Sequence, residues 1–243
     1  MIPKKIHYCW FGGNPLPESV KMCIASWEKK LPDYEIVEWN ENTFDISKLK
    51  FTEQAASVKK WAFVSDVARL NALYEQGGIY MDTDVEVLKS LDEFLTDSAF
   101  TGFEVRDCVM TAVLACEKGN GLVKEILDYY IDKNFINEDG SLNEIPNPVI
   151  FTEIFHKYGL KDNGKKQVVN GMTVYPEIYF SPNNFGRIFD RPSNNSYTIH
   201  HFDGSWRSKQ RNKQSMIFKI GRYGVGVLRN IFGTANYVRI FGR

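Results

Sequence analysis

The spacing of apolar residues switches between two periods along the chain. Lys5 to Phe11 is rich in aromatic and branched residues, reads as a strand, and closes on Gly12-Gly13. Leu16 to Lys30 changes to helical spacing, with Val20, Cys23, Ile24 and Trp27 on one face. Pro32-Asp33 ends that helix, and Tyr34 to Trp39 supplies a second short strand. Strand, helix, strand is the opening of an α/β domain, whose ligands gather beyond the strand ends.

A second helix is expected over Gln54 to Gln76, with Trp61, Val64, Ala68 and Tyr74 buried and Val67, Leu70 and Leu73 widening the face. Gly77-Gly78 should end it in a left-handed cap. Ile79 to Met81 and Val85 to Val87 are strand-formers around Asp82-Thr83-Asp84, and strand alternation sends both acids to one side. Leu91 to Phe103 reads as a turn and a strand, Val109 to Cys116 as a further strand, and Gly121 to Ile131 as an amphipathic helix. Residues 132–147 read as a surface loop and Val149 to Tyr158 as a helix. Val168 to Phe180 should form short strands around Gly171, Ser181 to Ser196 a loop, and Tyr197 to His201 a last strand.

Composition adds a compartment and a division. Hydrophobic residues at 43% and charged residues at 25% describe a globular domain with a sizeable core. The four cysteines make no CxxC pair, so a reduced, cytoplasmic chain without structural zinc is expected, and neither a signal peptide nor an eighteen-residue apolar run is visible. The zero net charge conceals an asymmetry. All 30 acids precede Gly204, and nine of the 30 basic residues follow it, which leaves residues 1–206 at a formal −9. A domain over 1–206 and a basic tail over 207–243 follow from this.

Asp82 and Asp84 repel each other unless a cation sits between them. Solvated acids on a surface strand are the plain alternative. A calcium loop starting at Asp82 fails because Val87 stands where glycine is needed. An aspartyl-phosphate phosphatase of the haloacid-dehalogenase type fits Asp82-Thr-Asp84-Val, but no downstream acidic pair completes it. Asp66 and Arg69 share a helix face, where they can pair with each other or serve a ligand. Trp10, at a strand end, is a core aromatic or a base-stacking ring.

Three motifs carry a resemblance. Ser65-Asp66-Val67-Ala68-Arg69 followed by Gly77-Gly78-Ile79-Tyr80-Met81-Asp82-Thr83-Asp84 resembles the SDxxR…GGxYxDxD signature of one glycosyltransferase family. That family contains the fungal initiating mannosyltransferases (glycosyltransferase family 32) and bacterial capsule and lipopolysaccharide transferases, with clostridial toxin glucosyltransferases as distant relatives. Ile6-His7-Tyr8-Cys9-Trp10-Phe11-Gly12 is similar to its IHxxWxG opening, and His200-His201-Phe202-Asp203-Gly204-Ser205-Trp206 to its HHxxxSW ending.

The resemblance implies a GT-A (Rossmann-like) nucleotide-sugar transferase domain with a mixed central sheet and retention of anomeric configuration. It implies Mn²⁺ or Mg²⁺ on Asp84, with Asp82 assisting and His201 as third ligand or diphosphate contact, while His200 packs behind. Asp66 and Arg69 would reach the donor sugar, Trp10 the base, and Tyr80 a sugar or phosphate. Ser205 and Trp206 would close over the diphosphate. Glu104 is the one candidate nucleophile, and Asn147-Pro148-x-x-x-Thr152 loosely resembles an acceptor-side Gly-Pro-x-x-x-Thr. The implied partners are a nucleotide-sugar donor and a glycan or lipid-linked glycan acceptor. A non-catalytic nucleotide-sugar binder is the remaining class.

The tail has its own pattern. Met216, Ile217, Ile220, Tyr223, Val227, Leu228 and Ile231 share a broad face opposite Lys219, Arg222 and Arg229, interrupted by Gly221, Gly224 and Gly226. Such a helix suits an anionic membrane surface, hence a peripheral place on the inner face of the cell membrane, or packing on the acidic body. Nucleic acid is not expected, because the acidic body would repel it.

Overall fold

The computed structural model describes residues 1–105, 107–182 and 192–202. The opening follows the hydrophobic pattern closely: β1 (Lys5–Cys9), α1 (Glu18–Lys30) and β2 (Glu35–Trp39). The single helix expected over Gln54 to Gln76 is two, α2 (Lys50–Ser57) and α3 (Trp61–Gln76). The chain turns between them at Lys59, whose φ of 58° is left-handed, with Lys59 N and Lys60 N closing on the carbonyls of Ala56 and Ala55. The turn lets α2 fold its buried face of Phe51, Thr52 and Ala55 back toward α3. Helix α3 is buried nearly all round from Asp66 to Leu73, so its polar members need partners.

After α3 come β3 (Gly78–Met81), β4 (Val85–Val87), β5 (Ala99–Val105), β6 (Cys108–Val109) and β7 (Val113–Cys116). The chain continues through α4 (Gly121–Asp128), α5 (Asn147–Lys157), β8 (Gln167–Val169), β9 (Met172–Tyr175), α6 (Glu177–Phe180) and β10 (Thr198–His200). The strand expected over Val109 to Cys116 is interrupted at Met110–Ala112, and Glu177–Phe180 is a helical turn rather than strand. The central sheet runs β2-β1-β3-β7-β5-β9-β8, with β6 on β5. It is parallel over β2-β1-β3 and across β5-β9, and antiparallel where β7 joins β3 to β5. Its two faces carry two apolar clusters. Cys9, Tyr80, Leu114 and Cys116 face one, while Ile6, Tyr8, Ile79, Met81, Val113 and Ala115 face the other. Strands buried on both sides read as continuous apolar runs, as these do.

Gly77 ends α3 with φ 66° and ψ −172°, so the left-handed cap expected there is replaced by a more extended glycine conformation. A side chain at Gly77 would meet Lys118 N at 2.6 Å, and one at Gly78 would meet Lys5 O at 2.6 Å. The double glycine therefore lets the chain pass between β7 and β1. His7 latches this passage: its Nε2–H donates to Gly77 O at 2.8 Å, and its Nδ1 accepts from Trp39 Nε1 at 3.0 Å. Burial lowers the pKa of His7, which stays neutral.

Candidate metal and donor site

Asp82 and Asp84 do not lie on a strand as expected. They occupy the tight turn between β3 and β4, closed by Val85 N on Asp82 O at 3.0 Å. The turn stands at the carboxyl end of β3, where the sheet changes from parallel to antiparallel, a place where α/β ligands bind. One ligand atom each from Asp82, Asp84 and His200 lie within 4.8 Å of one another.

Asp82 is held from below. Arg69 NH1 is 3.0 Å and the Tyr80 hydroxyl 2.8 Å from its Oδ1. Both bonds fall on Oδ1, so neither occupies Oδ2. The Arg69 guanidinium lies over the Tyr80 ring, 4.4 Å from its centroid, and reaches Asp66 Oδ1 at 2.9 Å and Thr111 O at 3.1 Å. The break in the strand before β7 makes this possible. It presents Thr111 O to Arg69 and Ala112 O to the Asp82 amide, 2.9 Å away.

Asp66 is 7% and Arg69 5% exposed. They do pair, as their spacing allows, but as a buried pair. Burial pushes the Asp66 carboxyl up to about 7, with Arg69 pulling it down and Asp82 adding to the rise. Burial opposes the charge on Arg69, yet Asp82, Tyr80 and Asp66 outweigh it and hold the guanidinium protonated. Asn147 Nδ2 donates to Asp66 Oδ1 at 2.6 Å, and the Thr111 hydroxyl donates to Asn147 Oδ1 at 2.9 Å. Asn147 at the start of α5 thus supports Asp66, a role that could be read from its sequence only as a loose acceptor-side resemblance. Thr152 binds Val109 N through its hydroxyl and sits in the core.

The two histidines stand differently toward the acids from what was expected. His201, expected on the metal, turns its imidazole to Glu86, with Nε2 3.0 Å from Oε2, and holds Asp84 through its backbone N–H on Asp84 O at 2.9 Å. His200, expected to pack behind, brings Nε2 to 3.3 Å from Asp84 Oδ1. The reason is register: β10 pairs antiparallel with β4, and His200 lies opposite Val85. His200 is 8% exposed, its ring lies 3.9 Å from that of Phe202 between centroids, and its Nδ1 is buried without a hydrogen-bond partner among the described residues. Burial lowers its pKa, but the hydrogen bond to Asp84 and the charges of Asp84, Asp82 and Glu104 outweigh that, and the net shift is upward. A cation at this point would relieve the same carboxylate field. Two carboxylates and an imidazole form a donor set that suits a divalent ion with positions left for a phosphate or water.

Trp10 follows β1, half-buried, with its Nε1–H donating to Asn14 O at 2.6 Å. Tyr80, expected to contact a sugar or phosphate, is 2% exposed and donates its hydroxyl to Asp82 Oδ1. Glu104 is half-buried on β5, near enough for its charge to act on His200. Ser205, Trp206 and the 207–243 tail lie outside the described residues.

Comparison with known proteins bears on this arrangement. Residues 17–101 match the family described as glycosyltransferase sugar-binding region containing DXD motif. The chain is 25% identical to the Subversion of eukaryotic traffic protein A of Legionella pneumophila, over 57% of this chain and 26% of that protein. It is 28% identical to inositol phosphoceramide mannosyltransferase 3 of Schizosaccharomyces pombe, over 52% and 36%, and 29% to lactosylceramide 4-alpha-galactosyltransferase of Mus musculus, over 49% and 32%. The chain thus spans 26 to 36% of the length of these relatives. In structure it is similar to PaToxG Glycosyltransferase, with a TM-score of 0.50 at 21% identity, over 64% of this chain and 68% of that one. Sequence and fold agree on one point: residues 17–101 are similar to the sugar-binding region of DXD-containing glycosyltransferases, and the fold is of the GT-A type.

Proposed function

We propose that the protein is a metal-dependent, retaining glycosyltransferase. It would move a hexose from a nucleotide sugar, a UDP-sugar before GDP-mannose, to a growing surface polysaccharide or lipid-linked glycan. The observation that carries this reading is the convergence of Asp82, Asp84 and His200 at the end of β3, directly above the buried Arg69–Asp66 pair. Two of the similar proteins are named for transfer to sphingolipids, which supports a lipid-linked acceptor.

Asp84, Asp82 through Oδ2, and His200 would hold Mn²⁺ or Mg²⁺. Bound there, such a cation would supply positive charge to offset the negative charge of the leaving diphosphate. Arg69 and Tyr80 hold Asp82 in place through Oδ1, so the turn needs no rearrangement at the moment of reaction. Asp66, fixed by Asn147 and Arg69, accepts hydroxyl hydrogen bonds from the donor sugar, and Trp10 offers a partly exposed ring to the base. Transfer joins C1 to the acceptor oxygen, and the acceptor proton leaves with the nucleotide diphosphate or to solvent.

Donor hydrolysis with Mn²⁺ tests this. UDP or GDP release that disappears in Asp82→Ala and Asp84→Ala is expected. Turnover of phosphate monoesters without nucleotide release would instead point to a phosphatase, and binding without release to a nucleotide-sugar binder. We further assign residues 207–243, with their basic residues and no acids, to an anionic inner membrane surface and place the protein there as a peripheral, cytoplasmic enzyme. Truncation after Trp206 should abolish sedimentation with anionic liposomes, and unchanged sedimentation would remove this assignment.

A further inference from the structure

The turn that carries Asp82 and Asp84 leads into β4, which among the described residues has one strand neighbour, β10. A two-stranded ribbon is marginal by itself, and the free edge of β4 exposes backbone groups that must be satisfied. Side chains of α1 do this. Trp27 Nε1–H donates to Val85 O at 2.7 Å, and Ser26 Oγ accepts from Val87 N at 2.9 Å. The Ser26 hydroxyl proton is already committed to Cys23 O at 2.5 Å, which aims a lone pair at Val87 N. Val85 and Val87 point their backbone to the same edge, so two consecutive residues of a helix satisfy two groups a partner strand would have taken. Trp27 is fully buried and packs edge-on against Tyr8 of β1, which ties this substitute edge to the central sheet.

We infer that Ser26 and Trp27 are positioning residues for the metal turn: they fix β4 against the body and thereby set where Asp84 stands relative to Asp82 and His200. Neither touches the ligand atoms. Their effect passes through the backbone of Val85 and Val87, on the side of β4 opposite to the strand that brings His200. The inference rests on the metal reading of the site proposed above.

The test is Mn²⁺ affinity of the full chain without donor, followed by loss of the free-ion paramagnetic resonance signal, beside thermal unfolding. Ser26→Ala should weaken Mn²⁺ binding about tenfold. Ser26→Thr, which keeps an acceptor oxygen, should restore it, and Trp27→Phe, which keeps the ring and removes the N–H, should weaken it as Ser26→Ala does. Val20→Ala, buried on the same helix, should lower the melting temperature and leave the affinity in place. Equal affinities for Ser26→Ala, Ser26→Thr and wild type would overturn the inference, as would a loss in Val20→Ala equal to that in Ser26→Ala. Absence of Mn²⁺ binding by the wild-type chain would overturn the metal reading and this inference with it.

Discussion

Replacing Arg69 by methionine removes the guanidinium between Asp66 and Asp82 while keeping most of the side chain's apolar length. In the folded protein its nitrogens stand 2.9 Å from Asp66 and 3.0 Å from Asp82, with further bonds to the carbonyls of Thr111 and Ser65. Removing one partner from a buried ion pair costs about 3–5 kcal/mol. In a chain of this size each kcal/mol lowers the melting temperature by about 2–4 °C, so a fall of about 6–20 °C is expected at pH 8. The loss must also depend on pH. Asp66 has a folded pKa raised to about 7 from an ordinary 3.8, so its contribution to stability is fully present below 3.8 and is lost as pH rises through 7. Without Arg69 the carboxyl rises further, and the gap between variant and wild type widens from pH 5.5 to pH 8. Urea denaturation at the two pH values measures this gap. The double variant Arg69→Met/Asp66→Asn, which no longer strands a buried carboxyl, should recover about 0.5–3 kcal/mol. A loss under about 1 kcal/mol at pH 8, or a gap that stays constant with pH, would refute the view that Arg69 is the counter-ion of this site.

Other variants separate the remaining parts. His200→Ala should weaken Mn²⁺ binding at least tenfold, about 1.4 kcal/mol, whereas His201→Ala should leave it within about twofold, because His201 holds Asp84 by its backbone; calorimetric titration distinguishes them. Gly77→Ala, at φ 66° and with a Cβ 2.6 Å from Lys118 N, should lose at least about 1–3 kcal/mol in denaturant unfolding. His7 has a depressed folded pKa, so its contribution is present above the ordinary 6.5 and is lost as pH falls below it. The stability difference between wild type and His7→Gln should therefore shrink from pH 7.5 to pH 5 in parallel melts.

What could be read in the sequence was local. Strand and helix periods located β1, α1 and β2 to within two residues at most ends, and the three-residue spacing of Asp66 and Arg69 announced their pairing. The acids of Asp82-Thr83-Asp84 were found, although strand alternation was the wrong reason, since a turn brings them together. The features that escaped depend on distant pairing. Which of His200 and His201 faces the acids is decided by the register of β10 on β4, and nothing near residue 200 encodes that register. Asn147 and Thr111 join the site only because α5 starts beside the interrupted strand before β7. The motif resemblance supplied both histidines, and geometry had to choose between them.

The pairing of β4 with β10 also bears on how the protein is made. The strand that brings His200 follows the acid turn by more than a hundred residues and so leaves the ribosome after it. During synthesis the turn exists first as two carboxylates beside Arg69, with an internal counter-ion but no imidazole. A chain cut before β10 would have only part of the proposed donor set, so on the metal reading proposed above capture of an ion would wait for β10 to pair with β4.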